Sequence, residues 1–428
     1  MKLIWSFIAS CISISFNFVY GRLFIPFLVR YFRKAIKGPR SLGTGYTKIL
    51  FNFQNHNFIG LGDAVMFSSL LKIFKYRFPN AQLCLLIGNR NKHLDVFWRD
   101  HTFADEFLIH PRLTPLYIFH WLKFLIALRK RKFDLTIIQA HKSVVNKIKG
   151  TWFPVDPAIS YLCGITTILG YYDRWKQDYF FSSIINQFGL SEGKPLVRTP
   201  HWTDIAFEYA LALGIQRVQF NAAIKRMVKY RSVALSIETS AKIKVAINPG
   251  GNKNFDRKWP KEKFKELCLK LFAEYNATIF LLGGLEEVEI RNDLKEAVQK
   301  ENALVNIYSI QAKNLNETLN YIAKSEVFIG NDTGTTHLAA AIGETSVIAI
   351  FGPTDFDYWG PEGIDKRHKV VSLNLPCMPC DLLHEAVGHK ECHLITDKHK
   401  CLKDLSTKRV FDAAKEAISA YTKSIRLS

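Results

Sequence analysis

The stretch "GNDTGTTHLAAAIGETSVIAIFGPTD", residues 330–355, gathers hydrogen-bonding groups where an apolar run ends and a helical pattern begins. A helix start offers unpaired backbone N–H groups and the positive end of the peptide dipoles, which together favour an anion such as phosphate. Here Asp332, Thr333, Gly334, Thr335 and His337 cluster at that start: Thr333 can donate a hydroxyl, Gly334 allows close backbone approach, and His337 falls on the first turn. The same residue types also suit simple capping, which binds nothing.

Three further loops follow predicted strands. In "NPGGNKNFDRKWPKEKF" (248–264), Gly250 and Gly251 open a turn, Arg257 and Lys258 supply charge suited to a diphosphate, and Pro260 stands where a helix can begin. A solvated turn anchored by Trp259 accounts for the same residues. In "GGLEEVE" (283–289), Glu287 or Glu286 could accept hydrogen bonds from ribose hydroxyls, or simply sit exposed at a helix start. In "GLGDAV" (60–65), Gly60 and Gly62 form a tight turn and Asp63 precedes a helix, either as its cap or as a general base facing a cleft. The chain has no G-x-x-x-x-G-K-[ST] sequence, which argues against a P-loop NTPase. Cys377, Cys380, Cys392 and Cys401 follow a C-x2-C-x11-C-x8-C spacing; the second half departs from paired C-x-x-C knuckles, so no metal is assigned and the four read as thiols, with a zinc site the alternative.

These loops need strands and helices to hold them. "KILFNFQ" (48–54), "AQLCLLIG" (81–88) and "FDLTIIQA" (133–140) read as strands, with helical patterns at 64–78, 115–132 and 201–215. The alternation restarts with strands at 244–250, 277–284, 327–330 and 346–352 and helices at 260–275, 316–325 and 335–343. Strand–helix alternation implies parallel sheets with right-handed crossovers, and the unbroken apolar strands imply sheets covered on both faces. The expected class is α/β, two facing doubly wound domains, with ligands outside the carboxyl ends of the strands. The boundaries are a leader over 1–47, domains over 48–225 and 243–428, and a linker over 226–242.

A length of 428 residues suits two domains, and 48 % hydrophobic with 22 % charged residues is ordinary for a globular chain. A net charge of +20 is not ordinary; it favours nucleic acid, an anionic membrane or phosphorylated small molecules. Paired strand-end loops fit the last of these and leave nucleic acid without a reading surface, so no nucleic-acid partner is expected. Leu3 to Gly21 carries no charge and precedes Arg22, Arg30, Arg33, Lys34, Lys37 and Arg40, a pattern expected of a membrane-associating leader that keeps the body cytoplasmic. Segment 115–132 is apolar with a basic end at Arg129 to Lys132, and reads either as a membrane-surface helix or as a buried one.

Taken in order, "GLGDAVMFSSLLKIFKYRFPNAQL", "FDLTIIQ", "GITTILGYYDR", "NPGG…DRKWPKEKF", "FIGNDTGTTHLAAAIGETSVIAIFGPTD" and the "CMPC…C…KCLKDLS" tail resemble the family 9 glycosyltransferases, the heptosyltransferases of lipopolysaccharide core assembly, over about residues 46–425. The resemblance implies a GT-B fold of two Rossmann-like domains. It implies inverting, metal-independent transfer, with no cofactor, from an ADP-heptose-type donor to a lipid-linked saccharide acceptor; together with the basic leader, this is expected at the cytoplasmic face of the inner membrane. It makes Asp63 the general base and Asp332, Thr333, Gly334 and His337 the donor motif. Arg257 or Lys258 becomes the basic group before Trp-Pro, and Glu287 the nucleotide-side acid. A nucleotide-sugar 2-epimerase and a non-catalytic protein of the same fold are the alternatives.

Overall fold

The structure is a computed structural model. It describes residues 45–53, 60–88, 94–110, 118–138, 145–148, 151–154, 160, 163–165, 167–170, 186–187, 201–237, 239–251, 257–380, 392, 394 and 396–427. The leader expected over 1–47 therefore lies almost wholly outside the described residues. Among these, no helix is long and apolar enough to cross a membrane.

The first domain runs β1 (Lys48–Phe53), α1 (Leu61–Arg77), β2 (Gln82–Gly88), α2 (Asp95–His101), β3 (Glu106–His110), α3 (Ile118–Lys130) and β4 (Leu135–Ile138). A hairpin, β5 (Val145–Ile148) and β6 (Thr151–Pro154), precedes β7 (Ile168–Gly170) and β8 (Asn186–Gln187). Helices α4 (Trp202–Ala212) and α5 (Arg217–Ile224) close the domain. The strands form one parallel sheet in the order β3-β2-β1-β4-β7-β8.

The period of two along β1 divides its burial between two layers. Phe51 and Phe53 face α1, while Leu50, with Cys84 and Leu86 of β2, faces Leu128 of α3. Both faces are thus covered, as the apolar strands require.

The second domain runs β9 (Lys244–Asn248), α6 (Lys261–Tyr275), β10 (Thr278–Leu281), α7 (Val288–Glu301), β11 (Ile307–Ser309), α8 (Leu315–Ala323), β12 (Val327–Asn331), α9 (Gly334–Ile342) and β13 (Ser346–Ile350). It ends with α10 (Phe356–Trp359), β14 (Lys369–Val371), α11 (Lys400–Lys403) and α12 (Thr407–Leu427). Its parallel sheet has the order β11-β10-β9-β12-β13-β14. In each sheet the order reverses beside the first strand, between β1 and β4 and between β9 and β12. Such a switch point splays the loops at the carboxyl ends apart and leaves a crevice for a ligand.

The two domains share an apolar cluster in which α1 packs against α9. Ala339, Ala340 and Ala341 are fully buried in α9, and their small side chains allow that approach. The segment after α5 seals the seam: Val228 N–H donates to Ala341 O and Ser68 Oγ donates to Met227 O.

Candidate active site at the domain seam

Helices α1 and α9 meet start to start. Gly334 opens α9 so close to the other domain that a Cβ there would lie 2.7 Å from Leu61 Cβ and 3.2 Å from the Gly62 backbone nitrogen. The expectation that Asp63 precedes its helix is corrected: Gly60 is the N-cap, and Asp63 sits in the first turn. Its Oδ2 accepts the Gly60 N–H at 2.9 Å. The carboxylate is thereby fixed on the first turn of α1, one residue beyond the glycine that faces His337.

At the other helix start, Thr333 is the N-cap and its Oγ1 accepts the Thr336 N–H. Asp332 is therefore not spent on capping. Its carboxylate is buried, 2.8 Å from Arg257 Nη1 through Oδ2 and 3.4 Å from His337 Nε2 through Oδ1. Burial alone would raise its pKa, but the bond with His337 and the charge of Arg257 outweigh it and hold the carboxyl down at about 2. Asp332 thus orients a guanidinium and an imidazole beside a helix start, where Gly334 and Thr335 present the unpaired N–H groups usual at that position.

Asn331 was not singled out from the sequence, yet it ties three segments of the site together. Its Nδ2 donates to Pro249 O at 3.1 Å and Gly250 O at 2.8 Å, and its Oδ1 accepts the Trp259 N–H at 3.0 Å. An asparagine ending a wholly apolar strand was the available signal. Trp259 is buried as expected, with Nε1 donating to Leu405 O.

Glu287 folds over the β9 turn, and a Cβ on Gly250 would lie 1.8 Å from its Oε1. Its Oε2 accepts the Gly284 N–H at 2.8 Å. Burial pushes its pKa up, against the Gly284 N–H and the charges of Arg291 and Lys258. Arg291, buried and bonded to Gly284 O, lies one turn after Glu287, so the spacing was readable although the residue was missed. Lys258 packs against Gly251, whereas Arg257 alone pairs with Asp332. Glu286 is exposed.

His201, the N-cap of α4, is a third residue the sequence did not flag. Its Nε2–H donates to Gly360 O at 2.7 Å across the seam, and its Nδ1 accepts the Thr203 N–H. Burial lowers its pKa. Burial pushes the Cys401 thiol up to about 12, with the charges of Cys380, Cys377 and Cys392 adding in the same direction. Among the described residues, no three His, Cys, Asp or Glu side chains are placed to hold a metal ion.

Two facing parallel sheets of this order, with both helix starts converging on the crevice, define the GT-B fold. Residues 195–389 match the model of glycosyltransferase family 9 (heptosyltransferase), so this part of the chain is similar to that family. The chain is 31 % identical over 175 residues to lipooligosaccharide heptosyltransferase 2 of Campylobacter jejuni, a match covering 41 % of this chain and 50 % of that protein. It thus spans half the length of that curated relative. Against the Haemophilus ducreyi lipooligosaccharide heptosyltransferase 2 it is 21 % identical over 328 residues, covering 73 % of this chain and 86 % of the relative. The solved structure of Escherichia coli ADP-heptose lipopolysaccharide heptosyltransferase II superimposes with a TM-score of 0.56 at 17 % identity, covering 88 % of this chain and all of that one. A family 9 glycosyltransferase from Veillonella parvula gives 0.57 at 14 %, covering 89 % of this chain and all of that one.

Proposed function

We propose that the protein transfers a heptose from an ADP-activated donor to a lipid-linked saccharide of the lipopolysaccharide core, with inversion and without a metal. One observation carries this reading: the helix start that holds the Asp63 carboxylate touches, through Leu61 and Gly62, a second helix start furnished with Arg257, Asp332 and His337.

In this mechanism Asp63 takes the proton of the acceptor hydroxyl as that oxygen attacks the anomeric carbon. The bond to the donor diphosphate breaks on the opposite face, and the sugar inverts. ADP departs with added negative charge, which the start of α9 and the guanidinium of Arg257 stabilise more in the transition state than in the ground state. Asp332 keeps Arg257 and His337 aimed at that charge. Glu287, beside the glycine turn at 250, receives the nucleoside ribose. The relatives named as heptosyltransferases support the choice of sugar. The net charge of +20 and the uncharged stretch Leu3 to Gly21 support work at the cytoplasmic face of an anionic membrane.

The test is transfer from radiolabelled ADP-heptose to core lipid, comparing wild type with Asp63→Asn, with and without a chelator. Asparagine still accepts the Gly60 N–H, so the helix start survives while the base is lost. Transfer abolished with ADP affinity retained is the expected result, and a chelator should change nothing. Undiminished transfer by Asp63→Asn would refute the base. Absence of ADP binding by the wild type would refute the donor site, and product formed without acceptor would favour an epimerase.

A further inference from the structure

We propose that the outer face of α3, with the basic turn that ends it, is the surface that docks on an anionic lipid bilayer. This deepens the membrane reading above and rests on it, but not on the sugar chemistry.

Helix α3 covers the face of the first sheet that points away from the seam. Leu128 is buried there, and Phe124 and Leu125 pack beside it on Leu50, Cys84 and Leu86. That packing consumes one side of the helix and turns Leu122 and Ile126 outward, 49 % and 56 % exposed. At about 100° per residue, Leu122, Ile126, Lys130 and Lys123 fall within roughly a hundred degrees of arc. Single exposed leucines are normal on a soluble protein. An aligned apolar pair flanked by exposed lysines is the pattern of a helix lying in a membrane interface. The helix "IFHWLKFLIALRK" contains no acidic residue to repel an anionic surface.

The chain path adds a second, independent reason. Helix α3 ends in the run Arg129, Lys130, Arg131 and Lys132, of which Arg131 is paired with Glu106. The start of β1 is stitched to that turn: Lys48 Nζ donates to Arg131 O, and Asp134 accepts the N–H groups of Thr47 and Lys48. The described chain thus begins beside the basic turn, and 44 residues precede it in the sequence. They carry the uncharged Leu3 to Gly21 stretch and six basic residues between Arg22 and Arg40. The apolar pair and the basic turn lie together on α3, the sequence before β1 is again apolar and basic, and anionic phospholipid is the partner that matches these features.

The experiment is co-sedimentation of the full chain with phosphatidylcholine vesicles, with and without phosphatidylglycerol. The wild type should bind only the phosphatidylglycerol vesicles and be released by salt, because exposed charges are screened. The Lys123→Glu/Ile126→Glu/Lys130→Glu variant should bind about tenfold less, roughly the effect of losing a few interfacial contacts. All three side chains are exposed, so its melting midpoint should match the wild type. The milder Lys123→Gln/Lys130→Gln variant, which keeps the apolar pair, should show a smaller loss in the same direction. Wild-type-level binding by the charge-reversed chain would overturn the proposal, because the leader alone would then carry docking. Equal binding to neutral vesicles, or none to either, would overturn it as well.

Discussion

Gly62 and His337 touch across the seam: a Cβ on Gly62 would lie 2.8 Å from His337 Cδ2. Gly334 repeats the relationship from the other side, with Leu61 in the place of the histidine. Each helix start lacks a side chain where the other presses on it. The seam is thereby narrow enough for groups from two domains to act on one bond, and proximity of this kind is a large part of what a transferase must supply.

Gly62→Ala tests that fit. Its backbone lies within α1, so alanine suits the helix and the cost falls on the contact with His337. Overpacking of this kind costs about 1–3 kcal/mol. The expected outcome is a denaturation midpoint lowered accordingly and transfer reduced by tenfold or more, with ADP affinity little changed. Full transfer activity in the variant would show that the contact is incidental.

Asp332→Asn tests the buried triad. Removing one partner from a buried charge pair destabilises by about 3–5 kcal/mol. The Arg257 side chain is 25 % exposed and can turn to water, so the low end of that range is expected. In a double-mutant cycle with Arg257→Gln, the double mutant's loss should fall short of the sum of the two single losses, because both remove the same bond. Strict additivity in chemical denaturation would mean that the pair contributes nothing specific.

Much of the frame was legible because the long buried strands and the helices between them carry strong patterns. Three-residue strands such as Ile307–Ser309 and Lys369–Val371 are too short to show a period. Helix α7 buries little more than Arg291, Leu294 and Val298, so its polar surface hid it. The Asp332 loop was readable as a helix start, but not the division of labour by which Thr333 caps and Asp332 orients. His201 could not be found at all, since Gly360 lies far along the chain and only the fold brings them together. Asp63 was placed one turn too early because a glycine, which offers no side-chain signal, occupies the N-cap.

Gly250→Ala tests the packing of Glu287 on the β9 turn. A methyl group 1.8 Å from Oε1 must drive the carboxylate away from the turn. ADP affinity should fall about tenfold, about 1.4 kcal/mol, if Glu287 holds the ribose. In a Glu287→Ala background the same change should do almost nothing, because the clash is gone. Calorimetric titration of the four proteins measures the coupling; equal losses in both backgrounds would remove Glu287 from the nucleotide site.

The last prediction concerns acid. His368 is buried, its Nδ1 accepts the Val347 N–H, and burial depresses its pKa from 6.5 to about 4. The folded protein therefore holds the ring neutral where the unfolded chain takes up a proton. Stability is whole above pH 6.5, falls as pH drops through the interval to about 4, and loses about 3 kcal/mol there from this residue. His101 and His201, also depressed by burial, push in the same direction. Asp332 acts later, its contribution being present above 3.8 and lost as pH falls toward 2. In His368→Asn the side-chain oxygen can still accept the Val347 N–H, but no group there titrates. Urea midpoints at about pH 7 and about pH 4.5 should therefore converge in the variant relative to the wild type. An unchanged difference between the two pH values would show that His368 takes no part in the acid loss.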